Sequence, residues 1–172
     1  MTPRTPKYRM LFPVFLGECG CPLRGGHISN FLLYKALKKN FPTSADYSDC
    51  KHTRTFHLLS KYDSVNKILR YLRIVFTPIK DKILKYDQTY ITGTTGILIL
   101  GLLSKFFRIR FIAVCRDMVF LNVDQSSILS RLRLKLLLDG LNSASIVLVN
   151  SLFLKNNLES LIDNQHIVVV YP

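Results

Sequence analysis

The chain has 172 residues, and 48% of them are hydrophobic. This length is enough for one domain with a sizeable core and too short for two domains of ordinary size. Lysine and arginine number 24 against 11 acidic residues, a formal net charge of +13. This composition excludes a disordered chain, and the charge favours phosphate-rich partners: anionic lipid, sugar phosphate or nucleic acid. Nucleic acid is the weakest of these, because the basic residues are dispersed and form no recognition motif.

Residues 1–7 are basic and contain two prolines, so they predict a tail before a single domain of residues 8–172. The apolar run that follows is interrupted by Pro13 and does not form a secretory leader. We therefore expect a cytoplasmic protein with reduced thiols. The pair Cys19 and Cys21 has no second Cys/His pair at ligand spacing, so neither a metal nor another cofactor is expected.

Apolar runs alternate with amphipathic segments along the chain. Strands are predicted at Tyr8–Leu16, within Phe41–Lys61, and at Gln88–Thr92, Arg110–Cys115, Ser145–Val149 and Ile167–Val170. Helices are predicted at His27–Lys39, Ser64–Lys85, Ile97–Phe107, Ser126–Asn142 and Ser151–Asp163. This alternation predicts an α/β fold: a Rossmann-like parallel sheet with helices on both faces, in a single domain.

The segment Ser64–Lys85 has two open interpretations. Its apolar residues are spaced as on one helical face, with Pro78 expected to kink the helix or divide it in two. Basic residues are expected on the opposite face: Lys67, Arg70, Arg73, Lys80 and Lys82. The segment is either an ordinary outer helix of the α/β fold or an element that lies on a membrane surface.

The apolar stretch Gln88–Ser104 is better explained by strand, turn and buried helix than by a membrane span.

Ligands of open parallel sheets bind at the carboxyl ends of the strands, where four connections are expected to meet. The candidate binding residues there are Gly25, Gly26 and His27 at a helix start, Thr94 in the turn Gly93–Gly96, Arg116 and Asp117 after one strand, and Asn150 and Ser151 after another. The glycine pair lets a phosphate or a hydroxyl-rich ligand approach the backbone. His27 could instead cap its helix, and Arg116 could pair with Asp117. No GxGxxG or Walker sequence occurs, and the spacing identifies no catalytic residue.

A set of short motifs, taken in order, resembles the N-terminal domain of family 4 glycosyltransferases. The motifs are Tyr86-Asp-Gln-Thr-Tyr-Ile-Thr-Gly93, the apolar helix Leu98–Phe107, the strand Arg110-Phe-Ile-Ala-Val-Cys-Arg-Asp117, Asn150-Ser151 after a strand, and the closing Val-Val-Tyr-Pro172. Gly25-Gly26 is similar to the glycine loop of that family. The resemblance covers residues 86–172 well and residues 8–40 loosely.

The resemblance implies the acceptor-binding half of a two-domain, B-type retaining glycosyltransferase of polysaccharide biosynthesis. Such an enzyme moves a sugar from a nucleotide-sugar to a glycan or lipid-linked acceptor and usually needs no metal. By analogy Gly25 and Gly26 line the cleft, Arg116 takes the position of a frequent histidine, and Asp117 supports the loop. An acceptor of this kind, together with the charge, predicts a peripheral location on the cytoplasmic membrane face.

The sequence departs from the family after Tyr171-Pro172, where the family's Asn-Gly continuation and donor-binding domain do not follow. We therefore expect either a separate chain that supplies the C-terminal domain or a truncated remnant. The alternative from another functional class is a non-catalytic Rossmann-like module that binds or scaffolds a partner.

Overall fold

The computed structural model describes residues 8–14, 25–41, 43–47, 63–116, 127–163 and 166–170. The strands are β1 (Tyr8–Val14), β2 (Thr43–Tyr47), β3 (Thr89–Thr92), β4 (Arg110–Cys115), β5 (Ile146–Val149) and β6 (Ile167–Val169). The helices are α1 (Gly25–Asn40), α2 (Asp63–Ile83), α3 (Thr94–Phe107), α4 (Ile128–Ser143) and α5 (Leu152–Glu159). All strand pairs are parallel, and the order across the sheet is β2-β1-β3-β4-β5-β6. The predicted Rossmann-like α/β fold is confirmed.

The direction of each connection decides which face of the sheet its helix covers. The chain steps from β1 to β2 in one direction, and every later connection steps in the other direction. Because crossovers between parallel strands are right-handed, a reversed step places its helix on the opposite face. Accordingly α1 packs on one face, through Tyr34 against Met10 and Ile91. Helices α2 to α5 pack on the other face.

Strand β4 shows why the strands are continuous apolar runs in the sequence. Phe111, Ala113 and Cys115 face the larger helical layer, whereas Ile112 and Val114 face α1. All five residues are buried. A strand in the middle of a parallel sheet has no solvent side, so both sets of alternating residues must be apolar.

Helices α3 and α4 cross at two buried glycines. A Cβ atom on Gly101 would lie 2.4 Å from the Gly140 Cα, and one on Gly140 would lie 2.7 Å from the Ile97 carbonyl oxygen. The missing side chains let the two backbones touch. This contact allows Leu100 and Leu141 to be fully buried in the larger core.

A buried carboxylate ties α2 to the sheet. Asp81 is 5% exposed, and its Oδ2 accepts a hydrogen bond of 2.9 Å from the Tyr90 hydroxyl and one of 3.3 Å from Arg9 Nη1. Burial raises the pKa of the Tyr90 hydroxyl well above its usual value, and the Asp81 carboxylate raises it further. Residues from α2, β3 and β1 therefore form one polar cluster inside the core.

Several predicted boundaries are wrong: helix α5, for example, ends at Glu159 and not at Asp163, and two of the wrong helix starts concern glycines. Helix α3 begins at Thr94, so the predicted four-residue turn is reduced to Gly93. Gly96 lies within the helix, and no side chain fits there because a Cβ atom would be 1.8 Å from Thr92 Oγ1 on the adjoining strand. Helix α1 likewise begins at Gly25, which places the glycine pair in its first turn. Helix α2 is one helix that continues through the buried Pro78.

We predict that Gly101→Ala destabilises the fold by about 1–3 kcal/mol, because the added methyl group must push α3 away from α4. Helix propensity alone would instead predict that replacing glycine by alanine stabilises the fold by about 1 kcal/mol. Urea unfolding at neutral pH measures the difference. Gly93→Ser is the control, since a Cβ atom at that site meets nothing within 4 Å. Equal stability of Gly101→Ala and the unsubstituted chain would contradict the close crossing.

We predict an alkaline loss of stability that depends on Tyr90. The folded state holds the tyrosine proton to higher pH than the unfolded state, whose tyrosine pKa is about 10. Stability is therefore fully present below about pH 10 and falls as the pH rises above it, because only the unfolded chain then releases the proton. Tyr90→Phe should remove this contribution to the loss of stability. Urea unfolding below and above about pH 10 measures the loss. Tyr86→Phe, at an exposed tyrosine, is the control and should leave the alkaline loss of stability unchanged.

Candidate functional site

A groove opens beside α1 on its face of the sheet. Its volume is about 340 Å³. The lining comes from the middle of α1 and from the carboxyl ends of β4, β5 and β6: Leu32, Leu33, Ala36, Val114, Cys115, Arg116, Leu148, Val149, Asn150 and Val170. Among the described residues, α1 is the only helix that packs on this face, and it lies over β1 and β2. The groove is the part of the face that α1 leaves open.

Two polar residues lie at the end of the groove where β4 and β5 finish. The Asn150 Nδ2 donates a hydrogen bond of 2.8 Å to the Arg116 carbonyl oxygen, which joins the two connections that leave these strands. Arg116 is half-buried and Asn150 is exposed. An apolar floor with polar groups at one end suits a ligand that has both an apolar surface and hydroxyl or anionic groups.

The predicted residues at the helix starts lie at the same edge of the sheet. Gly25, Gly26 and His27 are the first three residues of α1, and Thr94 is the first residue of α3. Each helix follows the carboxyl end of a parallel strand, so its unbonded N-terminal amides lie at the carboxyl edge. The side chain of His27 lies outside the described part, and its contact with a ligand stays a prediction.

Ser151 caps a helix and does not line the groove. Its Oγ accepts a hydrogen bond of 3.2 Å from the Leu154 amide, which makes it the N-cap of α5. This explains the serine without a ligand. Asp117 lies outside the described residues, so its pairing with Arg116 stays a prediction.

Sequence reasoning missed the apolar lining of the groove. Leu32 and Ala36 are exposed residues of α1, and Leu148 and Val170 belong to strands that read as buried. No motif marks these positions. The sequence shows only that β5 and β6 are apolar on both faces; which part of a face stays uncovered depends on the strand order.

The described residues offer no cluster suited to a metal ion. No three of their His, Cys, Asp or Glu side chains come together. Cys115 forms no disulfide, and its buried side chain packs in the larger core on the other face of the sheet. Cys19, Cys21 and Cys50 lie outside the described residues.

We predict that Ser151→Ala lowers stability by about 1 kcal/mol, because the first turn of α5 loses its cap. Ser160→Ala, at the other end of the same helix, is the matched control, since the exposed Ser160 hydroxyl only donates to the Asn157 carbonyl. Thermal or urea unfolding of both variants measures the effect. A Ser151→Ala variant as stable as the control would argue against a capping role.

No protein-family model matches this chain, and no curated protein sequence matches it significantly. The functional assignment therefore depends on the fold, the groove and the residues at its polar end.

Proposed function

We propose that this chain is the acceptor-binding domain of a retaining glycosyltransferase that acts at a cytoplasmic membrane face. In this proposal a second domain, distinct from this α/β domain, supplies the nucleotide-sugar site. The observation that carries the proposal is the groove beside α1, which ends at the carboxyl edge of a Rossmann-like sheet. Open α/β sheets bind their ligands at this edge.

The chemistry of the groove suits an acceptor. Its side chains are mainly leucine, valine and alanine, which can contact the apolar face of a sugar ring or the hydrocarbon of a lipid-linked glycan. Asn150 offers amide donors and an acceptor for hydroxyl groups, and Arg116 offers a guanidinium for a phosphate. The volume of 340 Å³ lies in the range of about 300–1,000 Å³ that small-ligand sites occupy.

The donor site is assigned to a second domain because the groove holds little positive charge. Arg116 is the single cation among its lining residues. The leaving diphosphate of a nucleotide-sugar needs several oriented donors to stabilise its charge. The N-termini of α1 and α3 can contribute amides at this edge, but two helix ends and one arginine make a weak diphosphate site.

One observation favours a second function, a non-catalytic module that binds a protein partner. Val168 and Val170 are half-exposed on the open part of the sheet face, where a packed domain would bury them. In that case a partner covers the groove, and no sugar enters it.

Titration of the isotope-labelled chain, followed by NMR of its backbone amides, tests the proposed function. We use maltotriose, chitotriose and octyl glucoside as acceptor probes, and UDP-glucose and GDP-mannose as donor probes. The acceptor probes should shift the amides of Val114–Arg116 and Leu148–Asn150, while the donor probes alone cause little change.

A bulky side chain in the groove should abolish the shifts. Ala36→Phe places a ring at an exposed lining position of α1, so it should block acceptor binding and leave the fold intact. Lys35→Phe is the matched control, because Lys35 is exposed on the same helix and does not line the groove. Shifts that survive Ala36→Phe, or the absence of shifts with every acceptor probe, would contradict the proposal.

A further inference from the structure

Helix α2 carries its main apolar row on the side that faces away from the sheet. Ile74, Pro78 and Asp81 are buried and form the core-facing side of the helix. Phe76 is 61% exposed and Ile83 is 75% exposed. The core-facing side of α2 therefore contains a carboxylate, while large apolar side chains face solvent.

The apolar residues on this outer side form one continuous row, in which Leu72, Phe76 and Ile83 are exposed and Ile79 is partly buried. Its members are spaced at i, i+4, i+7 and i+11: Leu72, Phe76, Ile79 and Ile83. With about 100° of rotation per residue, this row lies roughly opposite the buried residues Ile74, Pro78 and Asp81. All four side chains border the same surface depression, together with Lys80. We call these four residues the outer row.

Lysines flank the outer row on both sides. Viewed down the helix axis, Lys80 lies about 70° to one side of the centre of the row, and Lys82 lies about 90° to the other side. Both are exposed. Between Ser64 and Tyr86 the sequence has six basic residues and one acidic residue, Asp81. Since Asp81 is buried against Arg9 and Tyr90, it does not offset the lysines at the surface.

This arrangement fits an anionic membrane surface. An interfacial helix buries an apolar row at the boundary between headgroups and acyl chains, and its lysines extend outward to the phosphates. A second copy of the chain fits less well, because each copy has a net charge of +13 and would bring its lysines against those of the other. None of the described helices is long and apolar enough to cross a bilayer.

We propose that α2 docks this chain onto an anionic lipid bilayer, with the outer row in the interface and Lys80 and Lys82 on lipid phosphates. The inference identifies the surface used for the peripheral location that the proposed function includes. It does not need glycosyl transfer, since lipid binding is measured without any sugar.

Co-sedimentation with vesicles of phosphatidylcholine, with and without phosphatidylglycerol, tests the docking surface. The whole chain should bind only the vesicles that contain phosphatidylglycerol, and added salt should weaken binding. Phe76→Ser and Ile83→Ser should each weaken binding about tenfold, because each removes a large apolar side chain from the interface. Ile128→Ser is the matched control: Ile128 is 81% exposed on α4 and should be replaceable with a change of less than about twofold.

The lysines have a separate expected effect. Lys80→Gln and Lys82→Gln should each weaken binding about fivefold and reduce its dependence on salt. Lys35→Gln, on the opposite face of the sheet, should leave binding unchanged. Circular dichroism of every variant should match the original chain, because the substituted side chains are exposed.

A single tryptophan can report insertion, since the chain contains none. The emission of Phe76→Trp should shift to shorter wavelength on vesicles that contain phosphatidylglycerol, and that of Ile128→Trp should not. Three results would overturn the proposal: no vesicle binding by the folded chain, equal binding after Phe76→Ser, or a shift for Ile128→Trp alone. A failure of acceptor probes in the NMR titration, with vesicle binding intact, would overturn the proposed function and leave this inference in place.

Discussion

The right-handedness of parallel crossovers is the constraint on which the rest of this structure depends. One connection steps from β1 to β2, and the others step the opposite way, so among the described helices α1 covers one face of the sheet and the other four cover the opposite face. The groove follows directly, because a single helix cannot cover six strands. The polar end of the groove follows from the same geometry, since parallel strands bring Arg116 and Asn150 to one edge although they are far apart in sequence.

The cluster of Asp81, Arg9 and Tyr90 fixes the orientation of α2. A buried carboxylate that loses its partners is costly, so α2 must keep Asp81 toward β1 and β3. That orientation turns Phe76 and Ile83 outward. The groove and the outer row consequently lie on opposite faces of the sheet. A chain docked through α2 would hold its groove away from the bilayer, so an acceptor in the groove would have to extend past the helix layer and the sheet.

The fold class could be predicted from the sequence because strands that are buried on both faces of a sheet are continuous apolar runs. The strand Arg110–Cys115 was predicted with the bounds that the structure has. Local pattern failed where a distant neighbour decides the outcome. The contacts of Asp81 with Arg9 and Tyr90, on two other elements, decided which row of α2 faces the core. At the candidate site, Arg116 and Asn150 could be predicted from the strand alternation. The apolar lining could not, because it depends on the strand order.

A crystal structure of the chain soaked with octyl glucoside would show whether the groove beside α1 binds a sugar-bearing ligand. We expect the sugar to lie near Arg116 and Asn150 and the alkyl chain to lie between α1 and the ends of β5 and β6. Detergent bound elsewhere, with the groove filled by side chains of this chain, would contradict the account, because the face beside α1 would then be part of the core and could not receive a ligand.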